Sequence, residues 1–506
     1  MGKNRLEILE EKVKAKITLI NDIKAASKYL TWDQETNMPK GSSITRAEQI
    51  STLETLAHFH LVSFDTIDLA NEIKDSLDSA HINDSVVLKY FIEEHEKALK
   101  IPNSFVKEFY SIRTLALDSW KNARIENRFR VFKPYLSRLV ELKKAEAVNL
   151  GFSDNYYEGI IRQYEPEISI VQLDTLFNNL KKETLALMNE FRSYSDKIDN
   201  LFLMRKYVAS KQITIAKFIA EKMNFDFNRG RLDVSTHPFS SCISSEDVRI
   251  TVRVKENDLM ECLFGTIHET GQAIYYQNID KKYGKTFAQQ PASYGLFLSQ
   301  SFLWENMIGR TLEFWKWGLT HLNYLFPIQL ENIDVNQFFL AINKLSPSLI
   351  RTDADYVTYN LHIILRYEIE HELFNNNLDV DDIPELWKKK MLDMFGFYPV
   401  SDTDGCLQDM QWAFGGFGIF PIYALANIYS SIIWNHIQLE IPDILRLTEV
   451  GNFYPLVYWL SQNIYKSGKT ISTKSLINDV CKKDIAIDDF IDIVKKRYGY
   501  FIDSMK

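Results

Sequence analysis

The sequence predicts a nearly all-α protein of long helices, interrupted by one small β-sheet or hairpin. Three observations carry that prediction. Only 19 Gly and 13 Pro punctuate 506 residues, too few for an architecture of many strands and turns. Apolar residues recur at three- and four-residue steps through most of the chain, the repeat that gives a helix one buried face. A single segment, Asp247 to Lys255, alternates with period two instead and sets Val248, Ile250, Val252 and Val254 on one side.

From the N-terminus, Leu6, Leu9, Val13, Ile17, Ile20, Ile23 and Ala26 form the apolar stripe of a helix over 6–30. The same stepping predicts helices over 85–99, 104–124, 171–194, 259–278, 356–374 and 488–498. Between Trp412 and Trp434 no residue is charged, a length that could cross a bilayer. Gly415, Gly416, Gly418 and Pro421 argue against that, because a bent backbone cannot be satisfied in lipid. A buried loop over Phe414–Phe420 followed by a core helix from about Pro421 is the expectation. No linker, low-complexity tract or repeat of fixed period divides the chain, so it is read as one helical unit over residues 1–506, any lobes sharing a cleft.

Composition excludes several classes. With 59 Lys+Arg against 67 Asp+Glu the net charge is −8, which offers nucleic acid no basic surface. A 46% hydrophobic and 25% charged chain fits neither a disordered nor a multi-span membrane protein. Cys242, Cys262, Cys406 and Cys481 lie far apart without a Cys-x-x-Cys pair, so neither a disulfide framework nor a thiolate zinc site is expected. A reducing, cytoplasmic location follows as an expectation. The start, Met1 to Lys12, alternates charged and apolar residues without the apolar core of a secretory signal, and Leu6 stands where a Met1-Gly2 myristoylation pattern needs Ser or Thr.

Chemistry is suggested by Ile267-His-Glu-Thr-Gly-Gln272 within the helix over 259–278. In His-Glu-x-x-His, two imidazoles one turn apart bind zinc, and the Glu beside them takes a proton from metal-bound water. Here the fifth position is Gln272, an amide that binds zinc weakly. On these residues alone, His268-Glu269 reads as an ordinary helical pair more readily than as a metal half-site. A second His-Glu, at His371-Glu372, fits an exposed helix end.

Other segments change the weight of that half-motif. Trp32-Asp-Gln-Glu-Thr-Asn-Met-Pro39, Arg46-Ala-Glu-Gln-Ile-Ser-Thr-Leu53, His237-Pro-Phe239, Asp247-Val-Arg-Ile-Thr251, Ile350-Arg-Thr-Asp-Ala-Asp355 and Gly405-Cys-Leu-Gln-Asp-Met-Gln-Trp412 occur in that order. Together they resemble the M32 family of metallocarboxypeptidases, typified by carboxypeptidase Taq, from the N-terminus to the last helix. The resemblance implies a large helical fold with a deep central groove. It also implies a divalent metal on the His-Glu-x-x-His helix, stepwise removal of C-terminal amino acids and, commonly, a homodimer.

The departures from the family fall at the metal. Gln272 replaces the second imidazole, and Leu298, in Phe297-Leu-Ser-Gln300, occupies the place of the third, carboxylate ligand. Gln411 replaces the His of Gln-Asp-x-His-Trp, and Ile419 stands where Tyr is usual. Of three ligands the resemblance leaves only His268, and Glu269 becomes a vestigial general base. No cofactor is expected, and zinc or another divalent ion only if the site is rearranged.

Among the retained residues, His237 and Arg351 are candidates for substrate binding. Asp247, Arg249, Asp355 and Gln411 are candidates for the groove or its supporting shell. Each could equally be kept by buried charge pairs that hold the fold. The resulting expectation is a noncatalytic pseudopeptidase that binds a peptide with a free C-terminus, or a protein partner, in the old groove. Two alternatives stand beside it: an active carboxypeptidase with a rearranged metal site, and a repurposed metal-free enzyme using the same pocket. Nucleic acid and membranes are not expected as partners.

Overall fold

Val248, Ile250 and Val252, the apolar side of the alternating segment, are fully buried, and their burial fixes the position of the only sheet among the described residues. In the computed structural model, which describes residues 5–504, this sheet comprises β1 (Gly230–Val234), β2 (Ser240–Ser244) and β3 (Asp247–Val252). The order is β1-β3-β2, with β3 parallel to β1 and antiparallel to β2. The Met1-Gly2 start lies outside the described residues. Strand β3 ends at Val252, short of the expected Lys255, because Lys255 turns back to pair with Asp258. Gly230 permits the β1–β3 pairing, since a Cβ there would stand 2.4 Å from the Val248 carbonyl oxygen.

Around the sheet stand twenty-one α-helices among the described residues. Those used below are α1 (Arg5–Thr36), α2 (Asn103–Glu126), α3 (Leu259–Asn278), α4 (Tyr294–Phe302), α5 (Tyr359–Asn375), α6 (Phe420–Glu440) and α7 (Asp488–Ser504). Leu9, Val13, Ile17 and Ile20 of the predicted first stripe are all fully buried. Helix α3 keeps the bounds that periodicity gives it. Helix α5 starts three residues later than expected, because the Asp355 carboxylate accepts the backbone N–H groups of Val357 and Thr358 at 2.9 and 3.0 Å and holds that turn out of the helix. His371 lies in the last turn of α5 but is half-buried, its ring edge-on to Tyr157 at 6.0 Å, where the sequence suggested exposure.

The uncharged stretch folds as a loop and a core helix. Gly415 and Gly418 adopt left-handed φ angles of 70° and 76°. Glu370 of α5 clamps the loop, accepting hydrogen bonds from Trp412 Nε1 at 2.6 Å, Gly418 N at 2.8 Å and the Tyr157 hydroxyl at 2.8 Å. Helix α6 follows, with Pro421 in its first turn, and among the described residues no helix is long and apolar enough to cross a membrane.

A close packing constraint joins α3 to α4. A Cβ on Gly271 would lie 2.7 Å from the Gln300 carbonyl oxygen and 3.0 Å from Trp304 Cδ1, so only glycine lets the two helices cross this closely. Beyond the crossing, α4 runs into a π-helical turn, Leu303–Ile308, that swings Glu305 back toward α3. Gly271→Ala should destabilise the protein by about 1–3 kcal/mol through overpacking. Urea denaturation of the variant beside the parent checks it, and an unchanged midpoint would show that the helices part easily.

Candidate functional site

Asp258 starts α3 by accepting the N–H groups of Met260 and Glu261 at 3.0 and 3.2 Å. Leu259, Leu263, Ile267 and Ile274 bury one side of the helix, and His268 and Gln272 follow each other one turn apart. The Nδ1 of His268 lies 2.8 Å from Glu305 Oε2. Arg310 approaches the other Glu305 oxygen at 3.4 Å, and Ser301 Oγ donates to the His268 carbonyl at 2.8 Å. Gln272 is not free: its Oε1 accepts the Ser240 hydroxyl of β2 at 2.7 Å. Leu298 is 3% exposed, packed into the apolar core.

Electrostatics divide the three ionisable groups. Burial works against a charge on His268, yet the hydrogen bond and charge of Glu305 together raise its pKa above the ordinary value. The Glu305 carboxyl is disfavoured by burial, but His268 and Arg310 carry its pKa below normal. Glu269 is 7% exposed and has no hydrogen-bond donor among the described residues. Burial pushes its carboxyl up to about 7, eased by His268 and reinforced by Glu305.

A catalytic zinc takes three protein donors and keeps one position open for water. At the place the resemblance assigns to the metal stand one imidazole, an amide engaged by Ser240, and an alkyl group with no electron pair to give. Among the described residues no group of three or more His, Cys, Asp or Glu side chains is arranged to hold an ion. These residues do not fit the metal that the resemblance implies.

Arg351 lies in a second cluster. It is 9% exposed, and Asp409 Oδ1 accepts from its Nε at 3.0 Å and from one η-nitrogen at 2.8 Å; the other η-nitrogen donates to the Tyr359 hydroxyl at 3.1 Å. Arg366 binds the second Asp409 oxygen through Nε at 2.6 Å, and Gln408 accepts from both the Arg366 side chain and the Arg351 backbone at 2.8 Å. Burial opposes the charge on Asp409, but the two arginines hold its pKa down to about 2. Tyr423 reaches from this cluster toward the first: the Arg351 guanidinium lies 5.7 Å from its ring centroid, it feels the charge of Glu269, and half-buried Gln411 opens the short turn Gln411–Phe414 that precedes its helix.

The remaining candidates have partners of their own. His237 is exposed, on a loop fixed by Ser235, whose hydroxyl donates to the His237 carbonyl at 2.7 Å and lies 2.7 Å from Thr251 Oγ1. Enclosure lowers its pKa, reinforced by Arg253, and it also feels Glu35, Arg124 and Glu261, which belong to α1, α2 and α3. Arg249 forms a two-bonded pair with Asp247 at 2.8 Å each and stacks over Trp32 at 4.2 Å, tying α1 to the sheet. Besides its turn, the Asp355 carboxylate accepts the Ser346 N–H at 3.0 Å. Sequence reasoning assigned no role to Glu305, Asp409, Tyr423 or Ser240. Asp409 lies inside Gly405–Trp412, a segment quoted for the resemblance, so a signal was available for it; Tyr423 and Ser240 carried none.

A family model described as the carboxypeptidase Taq (M32) metallopeptidase matches residues 12–498. The chain is similar to Carboxypeptidase 1 of Bacillus subtilis, with 34% identity over 484 residues that cover 95% of this chain and 96% of that protein. It is similar to Thermostable carboxypeptidase 1 of Pyrococcus furiosus, with 29% identity over 96% of this chain and 98% of that protein. The crystal structure of the M32 carboxypeptidase of Deinococcus radiodurans superposes with a TM-score of 0.93 at 29% identity, covering 98% of this chain and 99% of that one.

Two predictions follow from the donor set and from Glu269. Gln272→His combined with Leu298→Glu should raise the zinc content, measured by elemental analysis after dialysis, to about one ion per chain, if α3 and α4 keep the family's spacing. For Glu269 the folded pKa is about 7 against an ordinary 4.5, so its contribution to stability is fully present below about 4.5 and is lost as the pH rises through 7. Glu269→Gln should therefore show a smaller fall in urea midpoint between acid and mildly alkaline pH than the parent. Parallel profiles would contradict the raised pKa.

Proposed function

The chain belongs to the M32 carboxypeptidase Taq metallopeptidase family; from that premise we propose that it is a pseudopeptidase, a noncatalytic member that binds a peptide carrying a free C-terminus, or a protein partner, in the family's groove. One observation carries the proposal: the second ligand position holds an amide whose oxygen is taken up by Ser240, opposite a Leu298 that fills the third. Without three donors nothing at this place lowers the pKa of an attacking water or polarises a scissile carbonyl. Glu269 is then a base without its water.

Binding needs less than catalysis. A guanidinium is suited to clasp a carboxylate, and Arg351 spends three of its five N–H donors on Asp409 and Tyr359, which leaves two for a ligand beside Tyr423 in the cluster that reaches toward Glu269. His237, exposed among charges from three helices, is the second candidate contact. We place the protein in the reducing cytoplasm, consistent with four free cysteines, three of them buried, and include the homodimer that family resemblance suggests.

A second reading is favoured by Glu269 itself. A buried carboxyl held near neutrality and free of hydrogen-bond donors suits metal-free acid–base chemistry on a small molecule. A compound turned over by the parent and not by Glu269→Gln would move the conclusion to that reading.

The test of the proposal is a peptide pair differing only at the C-terminus. By calorimetry the free acid should bind at least about tenfold more tightly than its amide, the worth of one charge-assisted contact. Arg351→Ala should remove that preference, and neither peptide should be cleaved. Equal affinities, or cleavage that a chelator abolishes, would overturn the proposal.

A further inference from the structure

Away from His268 and Arg351, a cavity of about 380 Å³ opens between the helix Ile170–Ser195, the helix Thr473–Cys481 and α6. That size lies within the range of small-ligand sites. Ile168, Leu176, Ile485 and the Tyr429 ring give it apolar walls. Inside it stands Glu165, 2% exposed.

The polar groups around this carboxyl are arranged in sequence. Thr473 Oγ1 donates to Ser293 Oγ at 2.7 Å, and Ser293 Oγ donates to Glu165 Oε2 at 2.7 Å. Ser293 also caps α4, accepting the Leu296 N–H at 3.0 Å. Gly295 admits the carboxyl to the helix end, since a Cβ there would lie 2.3 Å from Glu165 Oε2. No Lys or Arg pairs with Glu165 among the described residues, and burial pushes its carboxyl up to about 8. At the rim Glu167 and Asp484 outnumber Lys474. A buried acid without a counter-charge, kept neutral by its burial and facing open apolar space beneath an acidic rim, becomes half of an ion pair when a cation enters beside it.

We propose that this cavity is a binding site for an organic ammonium, a protonated amine with an apolar body, which places its nitrogen on Glu165 and its body against Ile168, Leu176, Ile485 and Tyr429. The charged nitrogen supplies the missing cation, and the walls take the hydrocarbon out of water. Because Ser293 touches both Glu165 and the start of α4, the site adjoins the helix that carries Leu298.

The full-length protein, n-hexylammonium and its neutral match 1-hexanol provide the test, read by calorimetry or ligand-observed NMR. Hexylammonium should bind the parent and lose at least about tenfold in affinity to Glu165→Gln, while hexanol binding changes by less than about twofold. Leu176→Trp, which fills the cavity without touching the carboxyl, should remove binding of both, and serves as the test by itself if Glu165→Gln fails to fold. Failure of hexylammonium to bind the parent, equal affinity for parent and Glu165→Gln, or undiminished binding to Leu176→Trp would each overturn the proposal.

Discussion

The close crossing of α3 and α4 at Gly271 is the constraint on which the candidate site depends. With a carbonyl oxygen 2.7 Å from the place of a missing Cβ, the backbones approach more closely than any other residue at 271 would allow. That approach lets Ser301 reach the His268 carbonyl and brings the π-helical turn close enough for Glu305 to meet the imidazole. A bulkier residue at 271 would separate the groups that chemistry in this fold needs together.

Within that frame, both lost ligand positions are locally satisfied. The Gln272 oxygen, which would be costly to bury bare, accepts the Ser240 hydroxyl; Leu298 packs as core; His268 holds Glu305, and Arg310 supports the pair from behind. Glu269 has no donor of its own among the described residues, and its raised pKa lets it shed the charge near neutrality.

Much of the fold was legible because helical periodicity records burial directly. Helix α3 has the bounds its apolar stripe implies, and the uncharged stretch divides at its glycines as bent backbone requires. Element ends were less legible where a side chain competes with the backbone, as Asp355 does at the start of α5. At the site, sequence could place His268 and Gln272 on one helix but could not tell which residues meet them, because Ser240 and Glu305 arrive from a strand and a π-turn separated in the chain. Arg351 shows the same limit: its chemistry suggested a carboxylate partner, and the structure supplies an internal one, Asp409.

That internal partner is one part of a scaffold that does not depend on the residues around His268. Here the support is distributed. Asp409 stands between Arg351 and Arg366, Glu370 clamps the loop before α6, and Arg249 with Asp247 grips Trp32 of α1. Each of these links elements far apart in sequence, and none involves His268, Gln272 or Leu298. The links that join distant parts of the chain therefore do not run through the positions that the resemblance assigns to a metal.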